Sequence, residues 1–213
     1  MKKKLLKTIL IILLTILLLV VIHTTRNFII ITNLQNNIKQ YSSSTNYHLK
    51  TTNAGTSNTM IADYYTKDGK QVVFQERKVN NNITKISMYN NGEKIVSYYD
   101  TPTDKIVKTN IPSAISVNIT SYFEGFTDNT ISKIWTSMLL KIKKVEYNSK
   151  TCYIVSPLFD TVTNIEYIEK DTGLCVKSIM FDESVEKEYE FNNVTDEIFI
   201  EPDISQYRIE EDT

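Results

Sequence analysis

A run of apolar residues near the start of the chain constrains it more than any other feature. Lys2, Lys3, Lys4 and Lys7 lead into an apolar stretch over 8–22, broken by Thr15. Counting Leu5 and Leu6, about 18 residues rising 1.5 Å each cross or nearly cross a hydrocarbon layer of about 30 Å. A cleaved leader would end in small residues at a peptidase-type spacing. Here His23, Thr24, Thr25, Arg26 and Asn27 follow, and the first alanine is Ala54. A lipoprotein leader would need a cysteine just after the run, whereas the two cysteines are Cys152 and Cys175. A core helix of a small domain is the weaker reading, because a run apolar on every face, with no polar stripe, does not fit the surface of such a domain. The segment therefore reads as an uncleaved signal-anchor. Residues 1–26 are the cytoplasmic stub and transmembrane helix, and 27–213 lie outside the cell, because retained lysines mark the cytoplasmic side.

That division reinterprets the charge. The 213 residues hold 24 Lys+Arg and 25 Asp+Glu, a net of -1. Five of the basic residues fall within 1–26, which leaves 19 against 25 in the outer portion, a net of -6. An acidic domain offers no basic face to nucleic acid, and the excess serves solubility. A length of 187 residues suits one extracytoplasmic domain with its own core. Ile- and Asn-rich, Ala-poor usage points to a low-GC Gram-positive bacterium.

The outer portion opens with a helical period over 28–41, continuing from the membrane span or starting just after it. The polar stretch 42–46 stops it, since such side chains compete for backbone hydrogen bonds. Residues 47–52 read as a first strand. Two hairpins follow, 59–66 with 71–79 and 83–89 with 93–99, turning at Asp68-Gly69 and Asn91-Gly92, pairs that supply positive φ. Residues 105–109 add a strand. Helical spacing returns over 112–123 and 130–145; in the second, Ile131, Ile134, Trp135, Met138, Leu139 and Ile142 form a stripe expected to cover one side of the sheet. Asp128 and Thr130 are its candidate N-caps. Strands resume at 152–156, 164–169, 174–182 and 185–191 as a meander turning at Asp171-Thr172-Gly173. In the last strand Glu186, Glu188 and Glu190 share one face, opposite Val185, Tyr189 and Phe191, so one side is wet. The fold class is α+β: a strongly curved antiparallel sheet, an open half-barrel, packed on helices and preceded by one transmembrane helix.

The meander also carries a resemblance. The stretch Tyr167-Ile168-Glu169-Lys170-Asp171-Thr172-Gly173-Leu174, followed by a strand with Lys177, is similar to a phrase common in LolA-like proteins. So is the later run Glu190-Phe191-Asn192-Asn193-Val194, then Phe199 and Pro202-Asp203. The order of helix, hairpins, helices and meander matches over roughly 30–205. The resemblance implies an unclosed barrel with helices plugging an apolar cavity, in a family of lipoprotein carriers, envelope sensors and proteins without an assigned role. An anchored member reaches its own membrane face and does not shuttle. No ligand-contacting residue of the carriers transfers to this chain.

The residues offer little catalytic chemistry. His23 sits at the membrane boundary, and His48 reads as an exposed polar strand residue, so triads and zinc sites lack their usual histidines. No phosphate-binding or hydrolase motif occurs among five glycines, and the Glu186–Glu188 pair is a solvated face. No cofactor or metal is expected. A bridge between Cys152 and Cys175 would stabilise by about 3 kcal/mol. A meander instead holds them two strand spacings apart, roughly 9.6 Å, beyond the limit of about 7 Å. Either the thiols are free or the strand order differs. The sequons at Asn82, Asn118 and Asn193 are expected by chance in so Asn-rich a chain. Tyr64, Phe74, Met88, Tyr98, Trp135, Met138, Phe181 and Tyr189 either line an apolar pocket or fill an ordinary core. The expected function is non-catalytic binding of a lipid, lipoprotein or other hydrophobic envelope ligand. The alternative is a structural or regulatory module that senses the envelope through a protein partner.

Overall fold

The computed structural model describes residues 2–55, 58–80, 82–90, 92, 94–110, 119, 121–124, 127, 129–159, 164–181 and 183–211. Among these, two α-helices, α1 (Lys2–Ser42) and α2 (Thr130–Leu139), accompany twelve strands. The strands are β1 (Asn46–Ala54), β2 (Asn58–Lys67), β3 (Lys70–Val79), β4 (Asn82–Asn90), β5 (Ile95–Asp100), β6 (Lys105–Asn110), β7 (Leu140–Tyr147), β8 (Lys150–Pro157), β9 (Asn164–Glu169), β10 (Cys175–Met180), β11 (Glu183–Phe191) and β12 (Arg208–Glu211). They form a curved, antiparallel-dominated sheet in the order β12-β6-β5-β4-β3-β2-β1-β11-β10-β9-β8-β7. This is the α+β class expected from the sequence. The parallel exception is β12, which pairs Arg208 with Ile106 and Glu211 with Thr109. The chain divides into two compact units, 1–40 with 120–175, and 41–119 with 176–213.

In the first unit, α1 has two halves of different character. From Leu5 to Ile22 its apolar side chains are all 40–69% exposed, and the helix is long and apolar enough to cross a membrane. The hydroxyls of Thr8 and Thr15 turn back onto the carbonyls of Lys4 and Ile11, which satisfies them without water. Beyond His23 the helix becomes amphipathic: Asn27, Ile31, Leu34 and Ile38 are buried at spacings of four, three and four. Ile31 and Leu34 pack with Phe123, with Leu140 and Ile142 of β7, and with Val155 of β8 and Ile168 of β9. Each such side chain contributes about 1.5–3 kcal/mol on burial. The helix that packs on β7–β9 is therefore α1.

Two expectations are corrected here. The helix expected over 130–145 ends at Leu139, and its last residues belong to β7. Leu140 and Ile142 are buried while Lys141 and Lys143 are exposed, a two-residue period that pairing with β8 enforces. Nor does α2 cover a sheet with its stripe: Ile131, Ile134, Trp135 and Leu139 are 46–70% exposed, and its buried residue is Ser137. The cap is Asn129, whose Oδ1 accepts from the Ser132 N–H at 2.9 Å and the Ser132 hydroxyl at 3.1 Å. Asp128, like most of the helix expected over 112–123, lies outside the described residues.

In the second unit, β2 and β3 turn on Asp68 (φ 50°) and Gly69 (φ 83°), the paired positive φ of a tight hairpin. Direct cross-strand partners share a face. One face carries Tyr189, Leu49, Tyr64, Val73, Met88 and Ser97 in a row across β11, β1, β2, β3, β4 and β5. The opposite face carries His48 and Tyr65, then Val72, Tyr89 and Val96. A core of Val72, Tyr89, Val96, Tyr98 and Val107 lies there, packed by Tyr65, Phe74 and the C-terminal Ile198, Phe199 and Tyr207.

Candidate functional site

The second face of this unit is lined by a chain of rings. His48 stacks flat on Tyr65, with centroids 4.2 Å apart and planes 2° from parallel. Edge-to-face contacts then run Tyr65–Phe74 (5.9 Å), Phe74–Tyr89 (6.1 Å), Tyr89–Tyr98 (5.7 Å) and Tyr98–Tyr207 (5.0 Å). Such pairs add about 0.5–1.5 kcal/mol each beyond area burial. His48 is half-buried, with Nε2 2.8 Å from Asp63 Oδ1, which corrects the reading of it as an exposed strand residue. At the C-terminal end of the ring chain, the Tyr98 hydroxyl donates to Glu201 Oε2 at 2.7 Å. Burial, then that bond to a carboxylate, pushes the Tyr98 phenol far above the ordinary tyrosine value. Tyr65 and Tyr89 are also raised, chiefly by burial.

These shifts make alkali destabilising. The folded state favours the neutral phenols, so their stabilisation is complete below about pH 10, where unfolded tyrosine ionises, and is lost as pH rises beyond it. The unfolding free energy from denaturant titrations, followed from about pH 9 upward, should fall above about pH 10 by about 1.4 kcal/mol per pH unit for each differential proton. Tyr98→Phe should make that decline shallower. An unchanged slope in the variant would show that Tyr98 does not hold its proton in this way.

A groove of about 220 Å³ opens on β2, β3 and β4, lined by Ile61, Asp63, Phe74, Gln75, Glu76, Lys85, Ile86 and Ser87. A second, wider one of about 600 Å³ runs between 101–105 and 205–208. It lies beside the Arg208–Asp104 pair (2.7 Å), which holds the Asp104 carboxyl below the usual range. The first mixes apolar residues, Ile61, Phe74 and Ile86, with charged ones, among which Lys85 Nζ and Glu76 Oε2 stand 3.8 Å apart. It can hold a side chain or a short extended segment.

The register does not bring the eight pocket candidates together. Tyr64, Met88 and Tyr189 lie on one face, Phe74 and Tyr98 on the other. Phe181 stands 65% exposed in the β10–β11 turn. Trp135 and Met138 belong to α2 in the first unit; Trp135 is 58% exposed and Met138 half-buried. Of the eight, Phe74 lines the smaller groove. Cys152 and Cys175 are both thiols. Burial, with the Glu169 carboxylate adding to it, raises the Cys152 thiol, and Cys175 Sγ donates to Glu166 Oε2 at 2.9 Å. Among the described residues, no three His, Cys, Asp or Glu side chains converge to hold a metal.

No family model matches this chain, and no curated protein matches it in sequence. Among solved structures, an uncharacterized conserved protein from Thermus thermophilus aligns over 85% of this chain and 98% of its own, at 9% identity and a TM-score of 0.48. MucB, solved in complex with MucA(peri), aligns over 80% of this chain and 59% of its own, at 7% identity and a TM-score of 0.37. Neither likeness assigns a family or a function.

Sequence reasoning missed two features. The C-terminal segment that brings Phe199 and Tyr207 onto the ring chain was signalled by the apolar pair Ile198-Phe199 in an otherwise acidic stretch. The outward-facing stripe of α2 had a signal too: residues 129–145 hold four lysines and no acidic residue.

Proposed function

We propose that this chain is a single-pass membrane protein with an extracytoplasmic, LolA-like, non-catalytic recognition domain that engages a lipid, lipoprotein or other envelope ligand. One observation carries this reading. Helix α1 is continuous from Lys2 to Ser42, so the apolar segment and the buried positions Asn27, Ile31, Leu34 and Ile38 share one rigid rod. A helix whose outer half is core to a folded unit fixes that unit at the membrane surface. The test is topology. A cysteine placed at exposed Ser43 is expected to react with an impermeant maleimide in intact cells, and one placed at Lys3 only after lysis. The reverse pattern overturns the proposal.

A second reading, recognition of an envelope protein through surface contacts, is favoured by the groove over β2–β4. At about 220 Å³ with Asp63, Glu76 and Lys85 on its walls, it is smaller and more charged than pockets for drug-sized apolar ligands, which run about 300–1,000 Å³. Mass spectrometry of the membrane-extracted protein separates the two. Stoichiometric lipid supports the carrier-like reading. A protein captured by a photo-crosslinker at half-buried Glu76, and lost with Phe74→Ala, supports the second.

A further inference from the structure

Helix α2 is built inside out for a protein in water. Its apolar residues fall at i, i+3, i+4, i+7 and i+8 (Ile131, Ile134, Trp135, Met138, Leu139), a single stripe. That stripe faces outward: Ile131 is 70% exposed, Trp135 58%, Ile134 and Leu139 46% each. The side turned to the protein is the polar one, with Ser137 fully buried and Ser132, Lys133 and Thr136 half-buried. An amphipathic helix oriented this way leaves its hydrophobic stabilisation unrealised unless a second apolar phase lies against it.

The position of α2 on α1 says which phase that is. The apolar run of α1 ends at Ile22, and the next residues bind α2 directly. His23 Nε2 lies 3.0 Å from the Leu140 carbonyl. Asn27 Nδ2 donates to the Ser137 and Leu140 carbonyls at 2.9 and 2.8 Å. The Lys133 ammonium sits 5.6 Å from the centre of the Phe28 ring. All three attachments fall between His23 and Phe28, within about 9 Å of Ile22 along the helix axis. The headgroup layer on one side of a bilayer is roughly 5–8 Å thick. The β7–β8 hairpin adds to the same level: Leu158 N–H donates to the Leu139 carbonyl, and next to it Phe159 is 80% exposed.

Charge agrees with depth. Residues 129–145 carry four lysines and no acid, although the outer portion as a whole is acidic. Lys141, Lys143 and Lys144 are exposed, and so is Arg26, one turn beyond the apolar run. Long cations beside an apolar stripe with a tryptophan are the composition of helices that lie in a membrane interface.

We infer that α2 is an interfacial helix, lying in the headgroup layer of the leaflet next to the folded portion, with Ile131, Ile134, Trp135 and Leu139 turned into the acyl boundary and Phe159 beside them. The occupant of this face is the lipid surface itself. The membrane then holds the first unit at two points, a spanning rod and a helix lying flat against the bilayer, so that the unit cannot swing about the rod. This inference rests on the reading of α1 as a membrane span.

Trp135 is the chain's single tryptophan and reports its own surroundings. The full chain is reconstituted into vesicles of phosphatidylcholine and phosphatidylglycerol whose acyl chains are brominated near the headgroup. Flotation after alkaline carbonate washing tests the α1 reading independently. For chain that floats, Trp135 emission should be blue-shifted and lose more than half its intensity relative to unbrominated vesicles, with little further loss to aqueous iodide. Ile131→Glu with Ile134→Glu, both at exposed positions, should leave flotation intact, abolish bromine quenching and restore iodide quenching. Chain that fails to float overturns the span and this inference with it. Chain that floats with Trp135 open to iodide overturns this inference alone. Trp135 shielded from both quenchers also overturns it, because a protein surface would then cover the stripe.

Discussion

Gly173→Ala is expected to destabilise the first unit by about 2–5 kcal/mol, because two independent costs meet at one position. Gly173 adopts φ +73°, in the left-handed region that costs a residue with a Cβ about 1–2 kcal/mol. It also sits directly against α1. A Cβ there would collide with the Leu34 carbonyl oxygen and lie 3.1 Å from the Ile38 amide nitrogen. Forcing extra volume into packed structure adds about 1–3 kcal/mol. The turn cannot easily back away. Gly173 N–H donates to the Glu169 carbonyl, and Glu169 N–H to the Leu174 carbonyl, both at 2.9 Å. The Thr172 hydroxyl holds the Glu169 carboxylate at 3.0 Å, and Asn37 Nδ2 of α1 donates to the Lys170 carbonyl at 2.8 Å. Thermal unfolding of the full chain in detergent should shift down by about 4–20 °C. Two further variants separate the causes. Gly69→Ala, at φ +83° with nothing within 4 Å, should incur the backbone cost alone. Gly173→Asn relieves much of the backbone cost, since Asn tolerates this conformation, yet keeps the collision and should stay severely destabilised. A Gly173→Asn protein as stable as the wild type would refute the close approach.

That glycine shows what was legible from residues alone. The Asp171-Thr172-Gly173 turn was readable because a positive φ leaves a chemical mark, as it does at Asp68-Gly69. Its second role was not readable, since contact with α1 joins residues more than 130 positions apart. The same division holds elsewhere. Glu186, Glu188 and Glu190 mark the wet face of β11 because a strand alternates, and Glu188 and Glu190 are exposed. The turn between β7 and β8 left no such mark: Asn148 and Ser149 take φ 49° and 62° without a glycine, so the hairpin was hidden and the preceding helix was read too long. Strand β12 has four residues of largely polar character, and its partner β6 lies about a hundred residues earlier. Periodicity found the apolar stripe of α2 and could not say which way it turns. A hydrophobic pattern shows that a helix has two environments, and a soluble core is one choice for the apolar side, a bilayer the other. The pocket candidates scatter for a related reason: composition nominates aromatic residues, whereas register assigns Tyr64 and Phe74 to opposite faces.

Asn27→Leu, nearly isosteric, is expected to cost about 2–3 kcal/mol, and Asn27→Asp more. Helices leave their last carbonyls without intrahelical donors, and α2 passes directly into β7 at Leu140, so no further turn exists to supply them. The Leu158 N–H supplies the Leu139 carbonyl, and Asn27, fully buried on α1, supplies the Ser137 carbonyl and that of the C-cap residue Leu140. Its own Oδ1 has no hydrogen-bond partner among the described residues, so the residue is there for its amide hydrogens. Leucine keeps the branched heavy-atom outline and removes both donors. The Leu140 carbonyl retains His23, which leaves chiefly the Ser137 carbonyl unpaired, at about 1–3 kcal/mol for a buried polar group. Aspartate fills the same space with oxygen facing oxygen, so repulsion adds to the lost bonds. The order wild type, Leu, Asp should appear in thermal unfolding and in the rate at which protease cuts within 129–139, because α2 is the element set loose. A Leu variant within about 0.5 kcal/mol of wild type, the range of neutral surface changes, would mean that the attachment does not hold α2. Asn27 lies five residues past Ile22, so the height of α2 above the end of the apolar run is fixed by this side chain. Trp135 fluorescence in vesicles should therefore become heterogeneous in Asn27→Leu even where the protein still folds.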